Sequence, residues 1–246
     1  MNPYLSIIIP CYNEEKRLGN NLRLMESYLT TKKFSYEILI IVDGATDNTL
    51  KIALSYKDRI TNLRVIENPH NCGKGYAVRH GLLQAEGDLR LFLDADGSTS
   101  INHLEIFLPE FDRGYDVVIG TRRLAGAQIL VHQPWHREFM GYLGNWLIRS
   151  VLGLWGYRDT QCGFKMLTAP AAQTVARQML KDRFGFDFEL IALAQKAGFH
   201  IKQLPVTWVN DAESSVRLRG PNGLMQVFLD LVKIRWRLST GRYVLE

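Results

Sequence analysis

Two carboxylates one residue apart, Asp94 and Asp96, stand where an apolar run gives way to Gly97 and Ser98. In that run Leu89, Leu91 and Leu93 alternate with Arg90 and Phe92, which places Asp94 at the end of a strand. A pair so placed can converge on one hard cation. Mg²⁺ or Mn²⁺ takes one or two protein carboxylates and completes its shell with water and phosphate oxygens. It then neutralises charge gathering on a departing diphosphate. An Asp-x-Asp alone also occurs in ordinary turns, so its neighbours decide its meaning.

Asp43-Gly44 closes a second apolar run. A carboxylate there accepts from a ribose hydroxyl or a base N–H, or it serves a turn. Asn71-Cys72-Gly73-Lys74-Gly75 opens a helical pattern whose N–H groups and Lys74 could favour an anion. It is not a phosphate loop of the Walker type, because Asn68 stands at the first glycine position and Gly75 follows the lysine. No G-x-G-x-x-G follows the first strand, which argues against a dinucleotide oxidoreductase.

Polar groups are dense from Arg158 to Lys165. Asp159 could face an acceptor there, and Arg158 or Lys165 could bind phosphate, or the segment is a salt-bridged loop. Arg122 and Arg123 follow a fifth apolar run, and Ser215, Arg217 and Arg219 lie in a loop before Gly220-Pro221 that could close over a diphosphate. The acceptor's chemistry sets the task of Asp159. A sugar hydroxyl needs a general base. A phosphate monoester, with a second pKa of about 6, is already mostly anionic, and Asp159 would then orient it.

The elements that must position these groups alternate along the first half. Strands are expected at Leu5–Ile9, Tyr36–Val42, Leu63–Ile66, Leu89–Leu93 and Val117–Ile119. Helices are expected from about Glu14, over Thr46–Tyr56 and over Gly73–Gln84. Near-continuously apolar strands separated by helices imply parallel strands covered on both faces, with ligands beyond their carboxyl ends. The second half reads as an aromatic stretch over 134–157, a strand over Gly163–Thr168, helices over 170–180 and 186–198, an extended His200–Val209 and a helix from Pro221 to about Ser239.

The 246 residues are 46% apolar and carry a net charge of +5, which excludes bulk disorder and suits one large α/β domain. Three scattered cysteines make no zinc or disulfide pattern. No recognised nucleic-acid motif accompanies the basic residues, so nucleic acid is not an expected partner. The N-terminus lacks the basic region of a signal peptide, and no run approaches the ~20 apolar residues that span a bilayer.

Ser6 to Glu15, Asp43-Gly44-Ala45-Thr46-Asp47, Asn71 to Tyr76 and Asp94-Ala95-Asp96-Gly97 together resemble the family-2 glycosyltransferases, with Ala45 where that family commonly has Ser. Residues 158–165, Phe186 to Leu190 and Pro205 to Trp208 resemble the dolichyl-phosphate β-glucosyltransferases among the polyprenyl-phosphate sugar synthases. The resemblance implies an α/β fold of the GT-A kind, with a mixed, mostly parallel central sheet flanked by helices. It implies one domain over 1–246, with a nucleotide-sugar half (1–122) and an acceptor half (123–246). It implies inverting transfer of a hexose, glucose from UDP-glucose first, onto a polyprenyl or dolichyl phosphate, with Mg²⁺ or Mn²⁺. A soluble or glycan hydroxyl acceptor, and a non-catalytic nucleotide-sugar-binding protein, are the alternatives.

Carried across residue by residue, Pro10, Tyr12, Glu14 and Asp43 hold the nucleoside, with Lys74 and Asp94 completing the donor site. Asp94, Asp96 and Ser98 form the metal site, and Asp159 and Asp96 are the catalytic carboxylates. Arg122, Arg158, Ser215 and Arg217 meet donor and acceptor phosphates. The glucosyl relatives usually carry an N-terminal membrane helix, whereas this sequence begins directly at the first strand. The expected association is peripheral, on the cytoplasmic face of a membrane. Trp135 to Trp155 and Leu224 to Leu238 suit interfacial helices with basic faces, unless both pack on the sheet or on a partner subunit, a homodimer among the possibilities.

Overall fold

In the computed structural model, described over residues 2–132, 134–210 and 220–243 and by backbone alone at 220–224 and 226, the strands alternate with helices as the sequence pattern requires. The first half runs β1 (Leu5–Cys11), α1 (Leu18–Leu29), β2 (Tyr36–Asp43), α2 (Thr49–Ser55), β3 (Leu63–Asn68), α3 (Lys74–Gln84), β4 (Leu89–Leu93), α4 (Leu104–Asp112) and β5 (Val117–Thr121). The second half adds β6 (Gln128–Val131), α5 (Trp135–Leu152), β7 (Phe164–Thr168), α6 (Ala169–Gln178), α7 (Phe186–Lys196), β8 (Ile201–Pro205), β9 (Thr207–Val209) and α8 (Gly220–Ser239). The sequence reading assigns nothing between Ser98 and Val117. The structure places α4 there, where Pro109 interrupts the helical signal because it donates no backbone hydrogen bond.

Seven strands make one sheet in the order β3-β2-β1-β4-β7-β5-β8, and β6 pairs β9 outside it. All neighbours in the sheet are parallel except β7, which runs antiparallel between β4 and β5. The sheet is therefore mixed and mostly parallel. Successive side chains point to opposite faces. Ile8, Ile41 and Phe92 enter a core under α3, α6 and α7, whereas Ile7, Ile40 and Leu91 enter one under α1 and α4. The chain leaves β1 for β2 on one side and returns to β4 on the other. The crevice of such a sheet lies at that switch point, beyond the carboxyl ends of β1 and β4.

Candidate active site

Beyond those strand ends lies a cleft of about 1040 Å³. The loop after β1 is set by Asn13, whose left-handed backbone (φ 55°) an asparagine tolerates. Its Oδ1 accepts from the Thr46 N–H at 2.8 Å, and Thr49 Oγ1 accepts from the Glu14 N–H at 2.7 Å. Asp47 accepts from the Glu15 N–H, while Glu15 accepts from the Asn48 N–H and amide. The first two sequence motifs are thus one hydrogen-bonded unit. Pro10, Tyr12 and Glu14 all line the cleft beside it.

Asp43 also lines the cleft but is 2% exposed. Its Oδ1 accepts from the Asn68 amide at 2.8 Å and the Cys72 N–H at 3.1 Å, and its Oδ2 from the Gly73 N–H at 2.7 Å. The start of α3 is therefore capped from within. The Tyr76 N–H is likewise taken by the Asp182 carbonyl. Three N–H groups at this helix start, those of Cys72, Gly73 and Tyr76, are therefore already used and not offered to an anion. The two glycines around Lys74 have a different reason. A Cβ at Gly73 would meet the Asp182 carbonyl oxygen at 2.3 Å, and one at Gly75 the Lys181 carbonyl oxygen at 2.2 Å.

That close packing delivers Lys74 into the cleft, 2.6 Å from Asp94 Oδ1. Burial alone would lower the Lys74 pKa, but Asp94 and Asp187 reverse this and hold the ammonium charged. Asp94 and Asp96 both line the cleft. The Asn21 amide holds the Asp94 and Ala95 carbonyls from α1, and Gly97 (φ 71°) turns the chain so that the Ser98 N–H reaches Asp96 Oδ1 at 2.9 Å. Burial and the Asp94 charge push the Asp96 carboxyl up. Asp94 Oδ1 is buried against the Lys74 ammonium. Two carboxylates one residue apart at the cleft lining fit a Mg²⁺ or Mn²⁺ ion that draws its other ligands from a diphosphate. Among the described residues no group of three His, Cys, Asp or Glu could hold a metal without such help.

Gly163 explains the spacing of the later motif. A Cβ there would lie 2.1 Å from Asp94 Oδ2 and 2.3 Å from its Cγ. The Asp94 carboxylate rests on the bare Cα of the strand approaching β7. Gly163→Ala is therefore expected to displace Asp94 and weaken Mn²⁺-dependent nucleotide binding by about tenfold or more, as other supporting contacts of metal ligands do. Calorimetric titration checks this, with an unchanged circular dichroism spectrum as the control.

Asp159 corrects its sequence-based placement. It is 1% exposed and does not line the cleft. Arg122 grips it in a bidentate pair, Nε to Oδ2 at 2.8 Å and Nη2 to Oδ1 at 3.0 Å, and the Arg122 and Gln161 N–H groups add two more bonds. Burial would raise this carboxyl, but the Arg122 charge and these bonds hold it well below the usual range. A carboxylate so paired is a poor base. Arg122 itself lines the cleft, its guanidinium 5.3 Å from the centre of the Trp208 ring.

Arg158 is exposed and lies outside the cleft lining, its N–H held by Gln203 at 2.7 Å. Lys165 is fully buried in β7 and bonds the Cys162 carbonyl and Asp187, so it cannot meet a phosphate. Ser98 lines the cleft, whereas Ser215 and Arg217 lie outside the described residues. The sequence reading leaves Arg17, Arg137, Asp187 and Arg183 out of the site, yet all four line the cleft. For Asp187 the available signal is a carboxylate between two phenylalanines in the apolar first turns of α7.

Glu14 offers a pH test. Burial pushes its carboxyl up to about 7, with Asp96 and Asp94 adding to the rise and Arg17, 2.6 Å away, opposing it. A raised carboxyl stabilises the fold fully below its unfolded value, near 4.3, and loses that contribution as pH rises through about 7. Glu14→Gln is expected to flatten this decline, measured by urea unfolding at the two ends of the range.

The sequence profile of glycosyl transferase family 2 matches residues 6–173. The chain belongs to that family. A dolichyl-phosphate beta-glucosyltransferase of Dictyostelium discoideum is 34% identical over 98% of this chain and 76% of its own. The Homo sapiens protein of that name is 32% identical over 98% and 78%. Among solved structures, Mycobacterium tuberculosis glucosyl-3-phosphoglycerate synthase with Mn²⁺, UDP-glucose and phosphoglyceric acid aligns with a TM-score of 0.67 at 17% identity, over 95% of this chain and 80% of that one. S. aureus TarS 1-349 with UDP-GlcNAc aligns at 0.63 and 18% identity, over 95% and 66%. These neighbours carry the same GT-A fold. This family-2 chain is a glycosyltransferase related to the dolichyl-phosphate β-glucosyltransferases, and none of its described helices is long and apolar enough to cross a membrane.

Proposed function

We propose that this glycosyltransferase moves glucose from UDP-glucose onto a polyprenyl phosphate, dolichyl phosphate among them, with inversion and with Mg²⁺ or Mn²⁺, at the cytoplasmic face of a membrane. The observation that carries this reading is the charge arrangement of one cleft. It holds the Asp94–Asp96 pair together with Arg123, Arg137 and Arg183, which have no carboxylate partner among the described residues. A donor diphosphate and an acceptor phosphate are two anions, and the cleft has cations for both. The names of the curated relatives supply the sugar and the lipid. The Mn²⁺ and UDP-glucose bound to the solved neighbour support the metal and the donor.

In this reading the cation held by Asp94 and Asp96 supplies charge neutralisation for the leaving diphosphate. Glu14, Tyr12 and Pro10 receive the nucleoside. Asp43 has three internal hydrogen bonds and one acceptor position left for a base N–H. Lys74, kept charged by Asp94, adds a donor for the phosphates. Arg122, locked by Asp159, presents a fixed cation to the acceptor phosphate without reorganising. The anionic phosphate oxygen attacks the anomeric carbon opposite the diphosphate, and no proton must leave it. Asp159 is thus a positioning residue.

Labelled UDP-glucose incubated with the chain and a polyprenyl phosphate is expected to yield lipid-extractable label with Mn²⁺ or Mg²⁺ and none with EDTA. Undiminished label in EDTA contradicts the metal; label only from another nucleotide sugar contradicts the donor.

A further inference from the structure

The strand order β2-β1-β4-β7-β5 sets out the cleft along one edge of the sheet. Asp43 closes β2, Pro10 and Tyr12 lie at the end of β1, Asp94 and Asp96 follow β4, and Arg122 follows β5. Between β4 and β5, the antiparallel β7 brings its start to this edge, with Phe164 beside Leu93 and Lys165 beside Ile119. The proposed function seats the nucleoside at β2 and β1, the diphosphate at β4 and the acceptor phosphate at β5. A nucleotide sugar reads nucleoside, diphosphate, sugar along its own length. Its sugar therefore falls over the start of β7, one strand spacing of about 4.8 Å beyond β4.

At that start stands a buried ion pair. Lys165 points to the face of Phe92 and Ile119, beneath α7, and its side chain has no exposed surface. A lysine there is costly unless its charge is met and its hydrogens are used. Its Nζ donates to the Cys162 carbonyl at 2.7 Å and to Asp187 Oδ1 at 2.5 Å, and lies 5.2 Å from the centre of the Phe92 ring. Apolar side chains in place of such a pair commonly serve a core as well or better, so packing alone gives no reason for it.

Asp187 gives the reason. It sits in the first turn of α7, lines the cleft and keeps 11% of its side chain exposed. No hydrogen bond but that of Lys165 reaches its carboxylate among the described residues. Glu189, two residues on, shows what a structural carboxylate of the same helix looks like. It is fully buried, and the Leu180 N–H, the Lys181 N–H and the Tyr243 hydroxyl occupy both its oxygens. Lys165 instead holds one oxygen of Asp187 and leaves the other with acceptor capacity at the cleft. We propose that Asp187, anchored on Lys165, is a specificity-determining residue that accepts a hydrogen bond from one hydroxyl of the donor sugar, at C3, C4 or C6. A donor lacking that hydroxyl leaves the carboxylate desolvated and unpaired. This rests on the proposed function for the nucleotide-sugar donor and adds the residue that reads its sugar.

Transfer from UDP-glucose is compared with transfer from its 3-, 4- and 6-deoxy forms. The unmodified chain is set beside Lys165→Met with Asp187→Ala, which removes both charges together so that neither is left buried alone. In the unmodified chain one deoxy donor is expected to lose about 10- to 100-fold in kcat/KM, the range of a hydrogen bond to a charged group. In the double variant that donor is expected to come within about threefold of UDP-glucose, while Mn²⁺-dependent binding of UDP stays within about threefold of the unmodified chain. Asp187→Asn, which keeps the shape should the double variant fail to fold, is expected to reduce the penalty below about tenfold, because a neutral bond replaces a charged one. Titrating the same donors with Mn²⁺ and no acceptor gives the ratios independently, so a wrong acceptor fails separately. If only another nucleotide sugar is used, the proposed donor fails, and that sugar's deoxy forms decide Asp187 by the same comparison. A deoxy penalty as large in the variants as in the unmodified chain overturns the proposal, as does an unmodified chain indifferent to all three deoxy donors.

Discussion

Asp94→Ala and Asp96→Ala are each expected to lower sugar transfer by on the order of 10³-fold, the scale of losing a preorganised electrostatic contact to the leaving group. The two variants are expected to differ in a second readout. Asp94 balances Lys74, and its removal leaves that ammonium beside Asp187 and Asp96 alone. Asp94→Ala therefore makes the cleft more cationic and is expected to retain metal-free UDP binding while losing the added affinity that Mn²⁺ gives. In Asp96→Ala the Ser98 N–H loses its acceptor, and the turn at Gly97 loosens. Calorimetric titration of UDP with and without Mn²⁺ separates these effects. A variant with full turnover in Mn²⁺ removes the residue from the site.

Asp159 carries the second large effect. Its carboxylate is buried and fully engaged by Arg122. Breaking such a pair from one side leaves an uncompensated charge and costs about 3–5 kcal/mol. Asp159→Ala is expected to lose most of its stability margin and nearly all transfer. Asp159→Asn keeps the shape and one acceptor oxygen, so it is expected to stay folded and lose about 10²-fold in transfer, expressed mainly in acceptor KM. The pH dependence distinguishes positioning from base catalysis. The depressed Asp159 carboxyl contributes stability that is full above its unfolded value, about 3.9, and is lost as pH falls through its lower folded value. Between pH 5 and 8 it does not titrate, so the shape of the rate profile is expected to be the same in Asp159→Asn as in the unmodified chain. An alkaline limb lost in the variant contradicts the positioning role.

Much of the donor half was legible because its signals are local. The apolar runs of β1, β2 and β4 end at Cys11, Asp43 and Leu93, within two residues of the expected ends. The loops that follow carry their own turn residues, such as Asn13 and Gly97. The acceptor half was less legible because its contacts are long-range. Nothing near Asp159 in sequence reveals Arg122, which lies 37 residues earlier. Lys165 reads as a cation for phosphate or for a salt-bridged loop until β7 inserts between β4 and β5 and carries it into the sheet. Gly163 has no turn to make. Its reason is the Asp94 carboxylate, which only the folded chain brings to it.

The central claim is that an already anionic phosphate accepts the sugar. It is tested most directly by offering the chain UDP-glucose and Mn²⁺ with three acceptors side by side: a polyprenyl phosphate, the matching polyprenol and a lipid-free glycan. The account predicts lipid-extractable glucose with the phosphate alone. Comparable transfer to the polyprenol, or to the glycan, contradicts it.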